Sequence, residues 1–181
     1  MPAAKKKKLR GRAWVFGDLM DVDWEICPFE TVRMLQEKGI HITEKELGKY
    51  CMTTVDPEFP KKVKRGDFIV AGENMGYGHG HDHACMSIKG AGIAAVLCES
   101  TNALFHRDSI HHGFPVIDCK GVKEKVNQGD ELEVDLVEAT IRNLTTGEEL
   151  RFPPIPGFLL EMLEAGGLYP QLEKRIKEGK V

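Results

Sequence analysis

The segment that most restricts the fold begins with a short apolar run, Phe68-Ile69-Val70-Ala71, which reads as a buried strand. The glycine-rich stretch Gly72-Glu73-Asn74-Met75-Gly76-Tyr77-Gly78-His79-Gly80-His81-Asp82-His83 follows it, and then a helical segment from Ala84 to Lys89. A second apolar run, Gly92 to Cys98, reads as another buried strand. Strand, turn, helix and strand at this spacing form a βαβ unit, so the two strands should be parallel and the class α/β. The glycines then sit in a strand-to-helix turn, where the backbone bends sharply or approaches something closely. Free N–H groups at the helix start favour an anion there. Three histidines and a carboxylate crowd the same turn, which makes it the candidate active site.

The rest of the chain supplies one domain around that unit. Ala13-Trp14-Val15-Phe16 reads as a first strand and Gly113 to Asp118 as a further one. Phe29 to Lys38 and Ala103 to His112 have helical spacing, and Thr43 opens a short helix with a weak capping box. After residue 130 the texture changes. Glu131-Leu132-Glu133-Val134-Asp135-Leu136 alternates like a half-exposed strand, and Thr145-Thr146-Gly147 reads as a hairpin turn. Phe158 to Ala165 reads as a closing helix. Residues 1–12 are expected to be a basic flexible tail, 13–168 a single domain, and 169–181 a charged C-terminal tail.

Composition narrows the function classes. A net charge of −3 with one short basic run does not point to nucleic acid. No apolar run reaches the roughly 18–20 residues of a membrane span, and no secretory signal is evident. The five cysteines are scattered without CxxC spacing, so structural zinc and a disulfide framework are not expected, and a reducing cytoplasm fits best. Asp18, Asp21, Asp23 and Glu25 lack the spacing of a calcium loop, and turn chemistry is their ordinary role.

Several chemistries compete at the histidine turn. His79, His81 and His83 alternate and would share one side of an extended backbone. The run resembles the HxHxDH of metallo-hydrolases but is one residue short, and further ligands are not evident. Gly76-x-Gly78-x-Gly80 is not the dinucleotide fingerprint, and no Walker lysine follows. A turn that sets imidazole acid/base groups and backbone donors around a small carboxylate is the third reading. A tight turn with solvated histidines is the bland one.

Longer stretches carry a resemblance. Gly17-Asp18-Leu19-Met20-Asp21-Val22-Asp23 is similar to a GDxxDTD segment. Asn74, Gly76, Gly78, His83 and Ala84 match GxNFGxGSSREHA, and Phe105 to Ile117 is similar to FYRNAINNGLPVI. From about Arg12 to Leu168 the chain resembles the small subunit of 3-isopropylmalate dehydratase, equivalent to the swivelling C-terminal domain of the aconitases. The resemblance implies a swivelling β/β/α domain with a mixed, mostly parallel central sheet and flanking helices. It implies loss and re-addition of water on a small hydroxy-carboxylic acid, in a cleft shared with a large catalytic subunit. That partner would carry the 4Fe-4S cluster, with no cofactor or metal on this chain.

Where the family has Ser-Ser-Arg-Glu, this chain has His79-Gly80-His81-Asp82. By position His79 replaces the family's serine base and His81 its carboxylate-binding arginine. The implied catalytic set is His79, Asp23 and Asp82, with Asp82 orienting a neighbouring imidazole. The implied substrate contacts are Asn74, Gly78, Gly80, His81 and His83. A histidine lacks the bidentate fork of arginine, so a substrate other than standard isopropylmalate is expected. Two other outcomes stay open: a stand-alone mononuclear metallo-hydrolase, and a non-catalytic ligand-binding or regulatory subunit.

Overall fold

A computed structural model describes residues 8–180. In chain order the elements are β1 (Lys8–Val15), a π-helical turn (Val22–Ile26), α1 (Phe29–Glu37), α2 (Glu44–Leu47), a 3₁₀ turn (Gly48–Tyr50), α3 (Phe59–Lys62) and β2 (Phe68–Ala71). Then come α4 (Asp82–Ala91), β3 (Ala95–Cys98), α5 (Ala103–His111), β4 (Val116–Asp118) and α6 (Val122–Lys125). The chain closes with β5 (Glu131–Asp135), β6 (Thr140–Asn143), β7 (Glu149–Arg151), α7 (Gly157–Ala165) and α8 (Leu168–Lys177). The strands form one mixed sheet in the order β4-β3-β2-β1-β5-β6-β7. β1 to β4 run parallel, as the βαβ reading requires, and β5 to β7 are antiparallel.

β1 joins the two halves of the sheet. Its last residues pair with β2 (Ala13 opposite Phe68) and its first five with β5 (Lys8 opposite Asp135, Arg12 opposite Glu131). The expected tail at 1–12 is therefore corrected: from Lys8 onward it is strand, and residues 1–7 lie outside the described residues. The physical reason is charge and period. Lys8 and Arg10 alternate with Leu9 and Gly11, and they face an equally alternating acidic strand. Lys8 Nζ lies 3.5 Å from Asp135, and Arg10 Nη2 lies 3.2 Å from Glu131. Gly11 permits the approach of the next loop, because a Cβ there would lie 2.1 Å from Gly66 O.

Alternation along the strands feeds two cores. Ile69 and Ala71 pack with Val96, Cys98, Ile88 and Phe105 between sheet and helices. Phe68 and Val70 pack with Leu97, Ile117, Leu132, Val134, Ile141 and Leu150. That second core takes residues from both halves of the sheet, so the sheet curls around it. Cys119 Sγ, just past β4, lies 3.6 Å from Arg151 O on β7. β2 is buried on both faces, which is why it reads as an unbroken apolar run.

Local signals placed the helices. Thr43 Oγ1 accepts from Glu46 N at 3.2 Å, as a capping residue should, and Gly92 at φ +96° ends α4. The hairpin between β6 and β7 turns on Asn143, whose Oδ1 accepts from Thr145 N and Thr146 N. The C-terminal tail is also corrected, since Leu168–Lys177 is helical. Its three basic residues in the last turn suit the negative end of the helix dipole, and they had made the segment read as merely charged. Among the described residues no helix is long and apolar enough to cross a membrane.

All five cysteines are free and buried. Burial pushes the Cys27 and Cys85 thiols up to about 12 and Cys119 to about 11, and it raises Cys51 and Cys98 as well. The folded chain at pH 8 is therefore expected to show no thiol reacting with Ellman's reagent within minutes, and all five after denaturation. Rapid stoichiometric labelling of the native protein would contradict this burial.

Candidate active site

The histidine turn is built on the C-terminal ends of the parallel strands, where open α/β sheets place their ligand crevices. After β2 the chain is held against the loop that follows β1. Gly76 N and Tyr77 N both donate to Met20 O at 3.0 Å, and Leu19 N donates to Glu73 O at 2.8 Å. On the other side Asn74 N donates to Ser100 Oγ at 2.9 Å, and Met75 N to Ser100 O at 2.9 Å. This close fit explains the glycines. Gly76 sits at φ +80°, and a Cβ there would lie 2.2 Å from the Phe105 ring. Gly78 sits at φ +102°, with its Cβ position 3.0 Å from Asp21 Oδ2.

The acidic loop divides its work. Asp21 Oδ1 accepts from Asp23 N (2.7 Å) and Trp24 N (3.0 Å), and Asp18 Oδ1 accepts from Glu73 N (3.0 Å) and Lys123 Nζ (2.8 Å). These are the turn roles expected of such residues. Asp21 thereby caps the π-helical turn and points Asp23 at the histidines. Asp23 Oδ2 lies 2.9 Å from His79 Nδ1, and Asp23 Oδ1 lies 2.8 Å from His81 Nδ1. His83 Nε2 lies 3.1 Å from Cys27 O and 3.3 Å from Asp23 Oδ1. One carboxylate thus faces three imidazoles. The rings form a ladder: Phe29 on His81 at 5.6 Å, His81 on His79 at 5.4 Å, and His83 against His81 at 5.5 Å.

Charge follows from these contacts. Burial acts to raise the Asp23 carboxyl, but the hydrogen bonds from His81 and His79 outweigh it and hold the group below the usual carboxylate range. Burial dominates at His83 and lowers it, against the pull of Asp23, so that ring favours its neutral form. His79 is the most open of the three, its side chain 78% exposed. With Nδ1–H directed at Asp23, its Nε2 is left with a lone pair available to a ligand. The N–H groups of Gly78, His79 and Gly80 donate to no partner among the described residues. An anion beside the turn therefore finds free donors and an imidazole acceptor together.

Comparison with known proteins places this arrangement. Residues 28–120 match the family described as the aconitase C-terminal domain. The chain is 48% identical over 172 residues to the isopropylmalate/citramalate isomerase small subunit of Methanocaldococcus jannaschii, covering 95% of this chain and 98% of that one. The chain belongs to the 3-isopropylmalate dehydratase small-subunit family. It is also 44% identical to a small subunit of that name from Methanopyrus kandleri, over 92% of this chain and 93% of the relative. The solved 3-isopropylmalate dehydratase structure from M. jannaschii superposes with a TM-score of 0.85 at 36% identity, covering 96% of this chain and 99% of that one. The mixed α/β sheet with flanking helices is therefore the small-subunit fold, as the resemblance implied.

Against the residues expected in this family member, the geometry is selective. Asp23, His79, His81 and His83 come together, and Gly78 and Gly80 supply the open backbone beside them. Asp82 does not join them. It opens α4, its carboxylate is 65% exposed, and its near partner is His112 Nε2 at 3.5 Å. Consecutive residues on a helix point about 100° apart, and here Asp82 turns toward His112 while His83 turns toward Cys27 O and Asp23. Asp23, not Asp82, is the carboxylate in contact with the imidazoles of the turn. Asn74 takes the left-handed conformation (φ +54°), and its backbone N–H anchors the turn to Ser100. Phe29 was read only as a helix start, yet it is the platform on which His81 stacks. An aromatic residue just after Cys27-Pro28 was the one available signal. Leu19, Trp24, Tyr77 and Leu104, all exposed, lie on the segments that build the site and were not anticipated.

Proposed function

We propose that this chain is the small subunit of a two-chain hydro-lyase that removes and re-adds water on a small hydroxy-carboxylic acid. The observation that carries this reading is the single carboxylate of Asp23 accepting from two imidazoles, each through Nδ1, at a turn with unpartnered backbone donors. His79 Nε2 accepts the proton from the carbon next to the substrate carboxylate. Asp23 holds the ring in the tautomer that leaves Nε2 free, and it stabilises the imidazolium that forms. The N–H groups from Gly78 to Gly80 hold the carboxylate, and His81 adds an Nε2–H donor when its ring is protonated. His83, buried and bonded to Cys27 O, positions the ladder.

In this reading a four-iron cluster on the large subunit supplies Lewis acidity toward the leaving hydroxyl. The thiols of this chain do not suit such a cluster, being buried and held in their protonated form. The exposed apolar side chains of Leu19, Trp24, Phe29 and Tyr77 around the site suit a docked partner chain. The reducing cytoplasm is the proposed compartment. The substrate departs from isopropylmalate, because an imidazole offers one donor in a given direction where the family's guanidinium offers a fork.

The test is reconstitution with the large subunit and a panel of hydroxy acids. His79→Ala is expected to lower kcat by roughly 10²–10³ with the circular-dichroism spectrum unchanged. Turnover near the wild-type level would remove His79 from the chemistry. A preference for isopropylmalate over the rest of the panel would overturn the substrate assignment.

A further inference from the structure

We propose that Asp23, His79 and His81 form a binding site for a divalent transition ion of the zinc class. One carboxylate oxygen and the two Nδ1 atoms are the ligands, all within 4.8 Å of one another. Zinc binds imidazole nitrogen and carboxylate oxygen at about 2.0–2.2 Å, which sets tetrahedral ligands roughly 3.3 Å apart. The two Nδ1 atoms already lie 2.9 and 2.8 Å from the Asp23 oxygens. His79 faces Oδ2 and His81 faces Oδ1, so an ion held by one of these oxygens needs the exposed rings to shift until each Nδ1 lies about 3.3 Å from it. His79 and His81 are exposed and lie in the turn ahead of α4, so they can move that far.

Three features suit an ion as well as a hydrogen-bonded cluster. The ligand set is mixed nitrogen and oxygen, the borderline-soft combination that selects zinc-like ions over calcium or magnesium. Three protein ligands leave one position open to water or an anion. The ring ladder from Phe29 through His81 to His79 fixes the planes in which the Nδ1 lone pairs lie. His83 stays outside the set, because its Nε2 is committed to Cys27 O.

The ion and the substrate proton exclude each other. Coordination through Nδ1 moves the ring proton to Nε2, the atom that accepts the proton in the proposed reaction. A bound ion therefore shuts the dehydration reversibly. Binding itself does not depend on that reaction; only the inhibition rests on it.

Zinc chloride is titrated calorimetrically into the isolated full-length chain, with cobalt absorption as a second readout of ligand number. One ion per chain with micromolar affinity is expected. Asp23→Asn, His79→Ala and His81→Ala should each weaken it tenfold or more, while His41→Ala, exposed and remote in sequence, should not. No binding up to millimolar zinc, or binding by the His79→Ala and His81→Ala chains as tight as by the wild type, overturns the site. In the two-chain enzyme, zinc at saturation should stop turnover and a chelator should restore it. Saturation with turnover unchanged would leave the metal site standing and remove His79 as the proton acceptor.

Discussion

Asp23→Asn is expected to lower kcat of the reconstituted two-chain enzyme by about 10³–10⁴, or roughly 4–5.5 kcal/mol of transition-state stabilisation. The effect should exceed that of His79→Ala because Asp23 serves both exposed imidazoles. An amide presents one carbonyl oxygen and one NH2 group. It can accept from His79 or from His81, but its NH2 faces the Nδ1–H of the other ring. That ring must flip or change tautomer, which moves the Nε2 lone pair out of place. The negative charge that stabilises an imidazolium is lost as well. Folding should be little affected. Asp23 is nearly isosteric with Asn, and its backbone N–H remains bonded to Asp21 Oδ1 at 2.7 Å. Steady-state kinetics over the hydroxy-acid panel, with thermal melts of the same preparations, separate the two effects. A drop in kcat below tenfold would show that the carboxylate is not orienting the reacting ring.

Gly90→Ala should produce the largest loss of stability of any single-methyl change considered. Gly90 lies in α4 where the helix meets α2 and the 3₁₀ turn. A Cβ there would lie 1.7 Å from Glu44 O and 3.0 Å from Gly48 N, and a Cβ on Gly48 would lie 2.3 Å from Gly90 C. Both surfaces are backbone, so no rotamer change can absorb the methyl. Ala ordinarily stabilises a helix interior over Gly by about 1 kcal/mol. Overpacking here should outweigh that gain and leave a net loss of about 3 kcal/mol or more. For a domain of this size the melting temperature should fall by roughly 6–12 °C. Gly17→Ala is the matched control, since nothing lies within 4 Å of its Cβ position and its φ is not positive. Its melting temperature should stay within about 2 °C of wild type. Equal melting of the two variants would mean the α2–α4 contact is looser than described.

Much of the fold was readable from spacing. The unbroken run Phe68–Ala71, the glycine stretch and the run ending at Cys98 announced a parallel βαβ unit, and those strands do pair in parallel. Glu131 to Asp135 alternates because one face is in the core and the other is wet. The misreadings share one cause. Lys8 to Arg12 and the segment after Leu168 were judged by charge, and charge reports solvent contact on one face rather than the absence of structure. A basic strand needs an acidic neighbour to be recognised, and β5 is more than a hundred residues away in sequence.

The sequence by itself determined the elements, the βαβ order and the crowding of His79, His81 and His83 in one turn, because these depend on neighbours within a few residues. It also carried the family, through motifs spread from Gly17 to Leu168. Only the tertiary structure decided which carboxylate lies against the imidazoles. Asp82 is adjacent in sequence but leaves along α4 toward His112, whereas Asp23, 56 residues before His79, is brought to it by the loop of β1 lying against the turn after β2. Local periodicity sets the direction of a side chain relative to its own element. Which elements lie side by side follows from the long-range closure of the sheet, and that is where the choice between the two aspartates was made.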